Sequence, residues 1–184
     1  MLLEKLKDSP KNIILVVITI IGFAIFILIN QLVFVPLATN VSVYGILDFE
    51  FAWTPEQVKV IFMAWGTEGM VQQALGVYWD FLYIVGYGMF IFGCIILISR
   101  KLKGKFQTIG LYVSLTPIIA GIFDMIENLN LLIMLENPIS ISSFTPLIAS
   151  ISATIKFSFL IVGIIYFFFA LIVVIIYIIK EKAK

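Results

Sequence analysis

The sequence predicts an all-α membrane protein: a four-helix transmembrane bundle with both termini in the cytoplasm and a short interfacial helix in the first outer loop. Three observations carry that expectation. Of 184 residues, 62% are hydrophobic and 12% charged, where a soluble domain carries about a quarter charged residues. The apolar positions gather into four runs, Asn12–Ala38, Gln72–Ser99, Gln107–Leu135 and Pro146–Ile179, each long enough for the roughly 20 residues that cross a hydrocarbon core. Continuous runs of that length satisfy the backbone in lipid as helices. Finally, the basic residues are placed asymmetrically: ten of the twelve lie at Lys5, Lys7 and Lys11, at Arg100, Lys101, Lys103 and Lys105, and at Lys180, Lys182 and Lys184. Loops rich in lysine stay in the cytoplasm, so the amino end, the second connection and the carboxyl end face inward, and residues 1–184 read as one integral membrane domain.

The first run, from Ile13 to Ile29, exceeds a signal-peptide h-region and has no clear small-residue cleavage site after it. It is read as a span. The first connection, residues 39–71, holds Lys59 against Asp48, Glu50, Glu56 and Glu68 and is expected outside. Its Asn40-Val41-Ser42 sequon would matter only in a glycosylating host. Leu47, Phe49 and Phe51 alternate with Asp48 and Glu50. Thr54-Pro55-Glu56-Gln57 then supplies an N-cap, a proline at N1 and a capping-box glutamine, which starts a short helix ending near Gly66. Its stripe of Val58, Ile61, Phe62 and Trp65 suits a helix in the interface plane, either a lid over an outward cavity or a packed loop shielding helix ends.

The second span carries Asp80, Tyr83 and Tyr87 on one face, and its Gly86–Gly93 stretch reads as close helix packing. In the third, Pro117, Asp124, Glu127 and Asn128 share a face, and the proline is expected to kink the helix beside the acids. The fourth opens with Thr145 and Pro146. Its outer half is small and polar (Ala149, Ser150, Ser152, Ala153, Thr154, Lys156, Ser158) and its inner half is bulky and apolar. Asp80, Asp124, Glu127 and Lys156 thus lie at one depth, about 30 Å along their helices from the cytoplasmic lysines. Charges inside a membrane usually face a bundle interior or a wet cavity.

The motifs W-D-F-L-Y at Trp79–Tyr83, P-x-x-A-G-x-x-D-x-x-E-N at Pro117–Asn128 and T-x-K at Thr154–Lys156 resemble those of a group of small prokaryotic four-span membrane proteins. The resemblance covers the last three helices. It implies a multi-pass protein of a prokaryotic plasma membrane and brings no activity with it.

Several classes are excluded. Cys94 is alone and histidine is absent, which removes disulfide frameworks, C-x-x-C redox chemistry, His-ligated metals and Ser-His-Asp catalysis. There is no phosphate-binding glycine loop, and the paired aspartate patterns of polyprenyl-transfer and phospholipid-synthesis enzymes are missing. The basic residues are topogenic anchors, so nucleic acid is not an expected partner. Neither a cofactor nor a metal is expected; carboxylates would suit Mg²⁺ or Ca²⁺ only with Lys156 outside the shell.

Three acids and one lysine leave a net −2 if all ionise, which a cation or a raised carboxyl pKa would relieve. Lys156 would most simply pair with Asp124 or Glu127. The leading reading is an outward-facing polar pocket that binds, and on a catalytic reading modifies, an amphiphilic or lipid-like molecule through Asp80, Tyr83, Tyr87, Asp124, Glu127, Asn128 and Lys156. Were it catalytic, one of the carboxylic acids Asp80, Asp124 and Glu127 would act as general acid or base beside Lys156. The alternatives are a structural or accessory subunit whose ion pairs only fix helix packing, a proton or cation pathway, and a Schiff base at Lys156. The partners expected are the bilayer, an amphiphile and other membrane subunits.

Overall fold

A computed structural model describes residues 2–39 and 43–182. The Asn40–Ser42 sequon lies outside the described residues. Among these, all regular structure is helical, and four segments are long and apolar enough to cross a membrane. After a short α1 (Leu2–Lys5), α2 (Asn12–Ile29) passes through one π-helical turn, Asn30–Phe34, into α3 (Val35–Thr39). Pro36 sits just beyond that turn. A proline cannot continue the hydrogen-bond ladder, and a widened turn before it relieves the mismatch.

The alternating stretch after Gly45 forms one helical turn, α4 (Ile46–Glu50), with the Gly45 N–H donating to Asp48 Oδ2 at 2.7 Å. The next helix, α5 (Pro55–Ser99), starts where the capping signal puts it: Thr54 Oγ1 accepts from the Gln57 N–H at 3.3 Å. It does not stop at Gly66. The chain turns there, with Gly66 at φ 63° and ψ −178°, and continues into the second span. Only glycine takes that backbone conformation cheaply, so Gly66 works as a joint inside one long helical segment.

The expected stripe is buried, but within the protein. Val58, Ile61, Phe62 and Trp65 pack with Phe49 against Leu131, Met134 and Ala149. The Trp65 indole N–H closes the segment by donating to the Tyr44 carbonyl at 2.7 Å. Residues 44–65 therefore form a roof with its own apolar core over one end of the bundle.

The third span is divided. A helix α6 (Gly104–Val113) and a helix α7 (Thr116–Glu136) meet at Ser114 and Leu115, with Pro117 in the first turn of α7. The proline thus breaks the span where a kink was expected. The fourth is one helix, α8 (Phe144–Lys182). Ala149, Ser150, Ser152 and Ala153 are buried; α8 packs chiefly along α7, and small residues allow that approach.

Helix α2 packs along α5 but makes no substantial contact with α7 or α8. The seam is a glycine crossing. A Cβ on Gly22 would meet Phe90 N at 2.6 Å and Gly86 O at 2.7 Å, and one on Gly86 would meet Phe26 N at 2.9 Å. Of the Gly86–Gly93 stretch, Gly86 and Gly93 face α2, whereas Gly88 faces open space.

At the lysine end, Arg100 ties two basic segments together. Its guanidinium donates to the carbonyls of Leu6 and Pro10 and to Asn12 Oδ1 at 2.6–2.9 Å. At the other end Ser150 holds the roof: its hydroxyl donates to the Glu50 carbonyl at 2.8 Å and accepts from the Trp53 N–H at 3.0 Å. Trp53 has φ 58°, a conformation a bulky residue adopts only when its surroundings hold it. Ser150→Ala orphans both backbone groups and is expected to destabilise the roof by about 1–3 kcal/mol. Hydrogen exchange should show faster exchange of residues 44–54 with α2 unchanged.

Candidate functional site

Lys156 is the centre of the site, on α8 three turns from its start and 5% exposed. Its ammonium donates to Asp124 Oδ1 and Glu127 Oε1, each at 2.9 Å. Both acids come from α7, and their i, i+3 spacing places them on the face that meets α8. Sequence reasoning expected one of these pairings; the ammonium makes both.

A third carboxylate stands beside them, and it was not among the expected site residues. Glu50 Oε2, at the end of α4, lies 3.5 Å from the ammonium. Glu50 had been assigned to the outer loop with Asp48. The roof folds back and carries it inward, Phe49 going into the roof core and Asp48 bonding locally to Gly45. Burial pushes the Glu50 carboxyl above the usual carboxylate range, and the Lys156 ammonium pulls the other way. A local signal existed: Glu50 stands between Phe49 and Phe51, an apolar setting for a solvent-facing acid.

The remaining expected residues extend this nest. The Tyr87 hydroxyl donates to Asp124 Oδ2 at 2.8 Å, across from its own helix rather than along it to Asp80. The Asn128 amide donates to Asp80 Oδ2 at 2.6 Å. Tyr83 turns its ring to α2, stacking on Phe26 at 5.0 Å and meeting Phe34 edge-on at 4.9 Å. Asp80, Tyr83, Tyr87, Asp124, Asn128 and Lys156 all line one cavity, as does Glu50. Glu127 is fully buried behind Lys156 and does not reach the cavity wall. The chain therefore brings together four carboxylates and one ammonium, one acid more than the sequence reading counted.

The cavity is a cleft of about 830 Å³. Its floor is α5. Phe34 and Leu37 form one wall, from the widened end of the first span; Phe157, Leu160 and Ile164 of α8 form the other; residues 45–48 close the roof end. Because those two walls do not pack on each other, the cleft is bounded there only by what surrounds the bundle. Its polar groups cluster under the roof. Phe90, Ile91, Leu160 and Ile164 make the far part apolar.

Among the described residues there is no group of three or more His, Cys, Asp or Glu side chains suited to hold a metal ion. The reason is visible in the nest: an ammonium occupies the point between the acids where a metal would sit. Comparison with protein-family models, with curated proteins and with solved structures gave no match to this chain.

Proposed function

We propose that this is a membrane protein whose cleft takes an amphiphilic molecule from the outer leaflet. The polar head would meet Asp80, Asp124, Asn128, Glu50 and Lys156, and the tail would lie along Phe90, Ile91, Leu160 and Ile164. One observation carries the reading: a single cavity joins a nest of buried charge to an apolar slot between two helices that make no substantial contact. A network serving only helix register has no use for an adjoining volume of about 830 Å³, since interiors are close-packed with few voids larger than a water molecule. Ligand sites combine the same ingredients, a mostly apolar concavity with a few convergent polar groups. The lysine-rich end, placed in the cytoplasm by the positive-inside rule, puts the roof and the head of the cleft outside.

Native mass spectrometry of the protein released from mild detergent tests this. A discrete adduct is expected on the parent chain and its loss in Leu160→Trp, where the indole fills the apolar slot one helical turn from Lys156 and every charged residue is kept. Bare polypeptide in both forms would instead assign the nest to helix packing alone.

A further inference from the structure

The atoms of the nest that are still free to bind discriminate among head groups. Lys156 has three N–H bonds; two are spent on Asp124 and Glu127, and the third side of the ammonium faces Glu50. Of the other donors on the cavity wall, Tyr87 is committed to Asp124 and the Asn128 amide to Asp80, while Gln73 and Tyr83 are neutral and bring no positive charge to an anionic head. What the wall offers a cation is acidic acceptor capacity. Glu50 lines the cavity at 8% exposure, with its Oε2 turned to the Lys156 ammonium at 3.5 Å, so it adds acidity to that wall rather than a free acceptor. Asp80 also lines the cavity, uses one oxygen on Asn128, and has no cation of its own among the described residues.

The charge count points the same way. Four acids surround one ammonium that is already committed to Asp124 and Glu127, so an anionic head would find no uncommitted cation. A protonated amine would supply both the missing positive charge and the missing N–H donors, in hydrogen bonds stronger than neutral ones. Aromatic rings stand on both sides of the nest: the Phe157 ring is engaged by the Lys156 ammonium, 4.9 Å from its centroid, and Tyr83 is stacked on Phe26.

We propose that the head group taken by this cleft is a protonated amine bearing N–H donors, carried on a hydrocarbon chain. The proposal rests on the reading of the cleft as an amphiphile site and specifies its ligand class. Asp80 is the residue that receives the amine, and Glu50 and Asp124 stand beside it. A quaternary ammonium has the charge without the donors and fits less well.

The test is photo-crosslinking in phosphatidylcholine nanodiscs with two probes of equal length, dodecylamine and dodecanoic acid, each carrying a diazirine near the chain end. The amine probe is expected to label the apolar part of the cleft, around Phe90 and Ile91 on α5 and Leu160 and Ile164 on α8, with dodecylammonium competing and dodecyltrimethylammonium competing weakly. In Asp80→Asn, which leaves Lys156 and its three acids in place, labelling should fall about tenfold, the scale of one charge-assisted hydrogen bond. Phosphatidylethanolamine in the disc distinguishes the sources: if it competes, the amine belongs to a bilayer lipid, and if only dodecylammonium does, to a single-chain amphiphile. Both results uphold the amine. Equal labelling of the cleft by the acid probe, or undiminished amine labelling in Asp80→Asn, overturns it. Acid labelling that Leu160→Trp abolishes would retain the cleft as an amphiphile site while removing the amine; no cleft labelling by either probe removes both.

Discussion

Replacing Lys156 with methionine is expected to lower the free energy of unfolding by about 3–5 kcal/mol, the cost of leaving buried charge without its partner. Methionine fills nearly the same volume, so the loss reports charge rather than a cavity. Asp124, Glu127 and Glu50 would then face one another with no counter-ion, and Asp124 and Glu127 would lose the hydrogen bonds they now receive at 2.9 Å. Thermal unfolding in mild detergent checks the expectation. Adding Asp124→Asn and Glu127→Gln to Lys156→Met should recover a large part of the loss, because replacing all members of a buried ionic group costs far less than removing one. If the triple variant is no more stable than the single one, Lys156 acts through its packed methylenes and the electrostatic account fails.

The second large effect belongs to the seam between α2 and α5. Gly22→Leu places a side chain where the nearest atoms are backbone, Phe90 N at 2.6 Å and Gly86 O at 2.7 Å. Backbone cannot rotate away as a side chain can, so the two helices must part. Overpacking of this kind costs about 1–3 kcal/mol or more. The first span has α5 as its main neighbour, so the damage should be local: a disulfide engineered across the seam between α2 and α5 should form poorly, while one between α7 and α8 forms as in the parent. Equal disruption of both pairs would show that the first span supports the whole bundle. Gly88→Ala is the matched control, since nothing lies within 4 Å of a Cβ there.

How much of this was readable beforehand depends on what encodes each feature. Spans, the Thr54 cap and the break near Pro117 are local, each written in a few adjacent residues, whereas Gly66 was read as a helix end and the chain turns there and continues. The meeting of Asp80, Asp124, Glu127 and Lys156 was also legible, because charge in an apolar run has few places to go. Glu50 was not. Its neighbours in sequence belong to a loop, and only the roof core formed by Phe49, Phe62 and Trp65 with Leu131 and Met134 brings it to the ammonium. The position of the first span was equally hidden. Its hydropathy is uniformly high, and lipid is as apolar as its side chains, so no face announces its partner. The glycines marked which helix could come close, but not that the opposite flank would stay open beside α8.

The roof also sets an order of events during synthesis. Its core partners Leu131, Met134 and Ala149, and the hydroxyl of Ser150 that ties it down, belong to the third and fourth spans. Residues 44–65 can set Phe49 against Phe62 and Trp65 but cannot complete that core until the last span arrives. At about 5–20 residues added per second, that interval lasts roughly 4–17 s. Throughout it Asp80 lies under no cover and Glu50 has no lysine to meet. The charged nest is thus assembled last and from above, and once the roof has closed, the gap between the first and fourth helices is the side of the cleft left open.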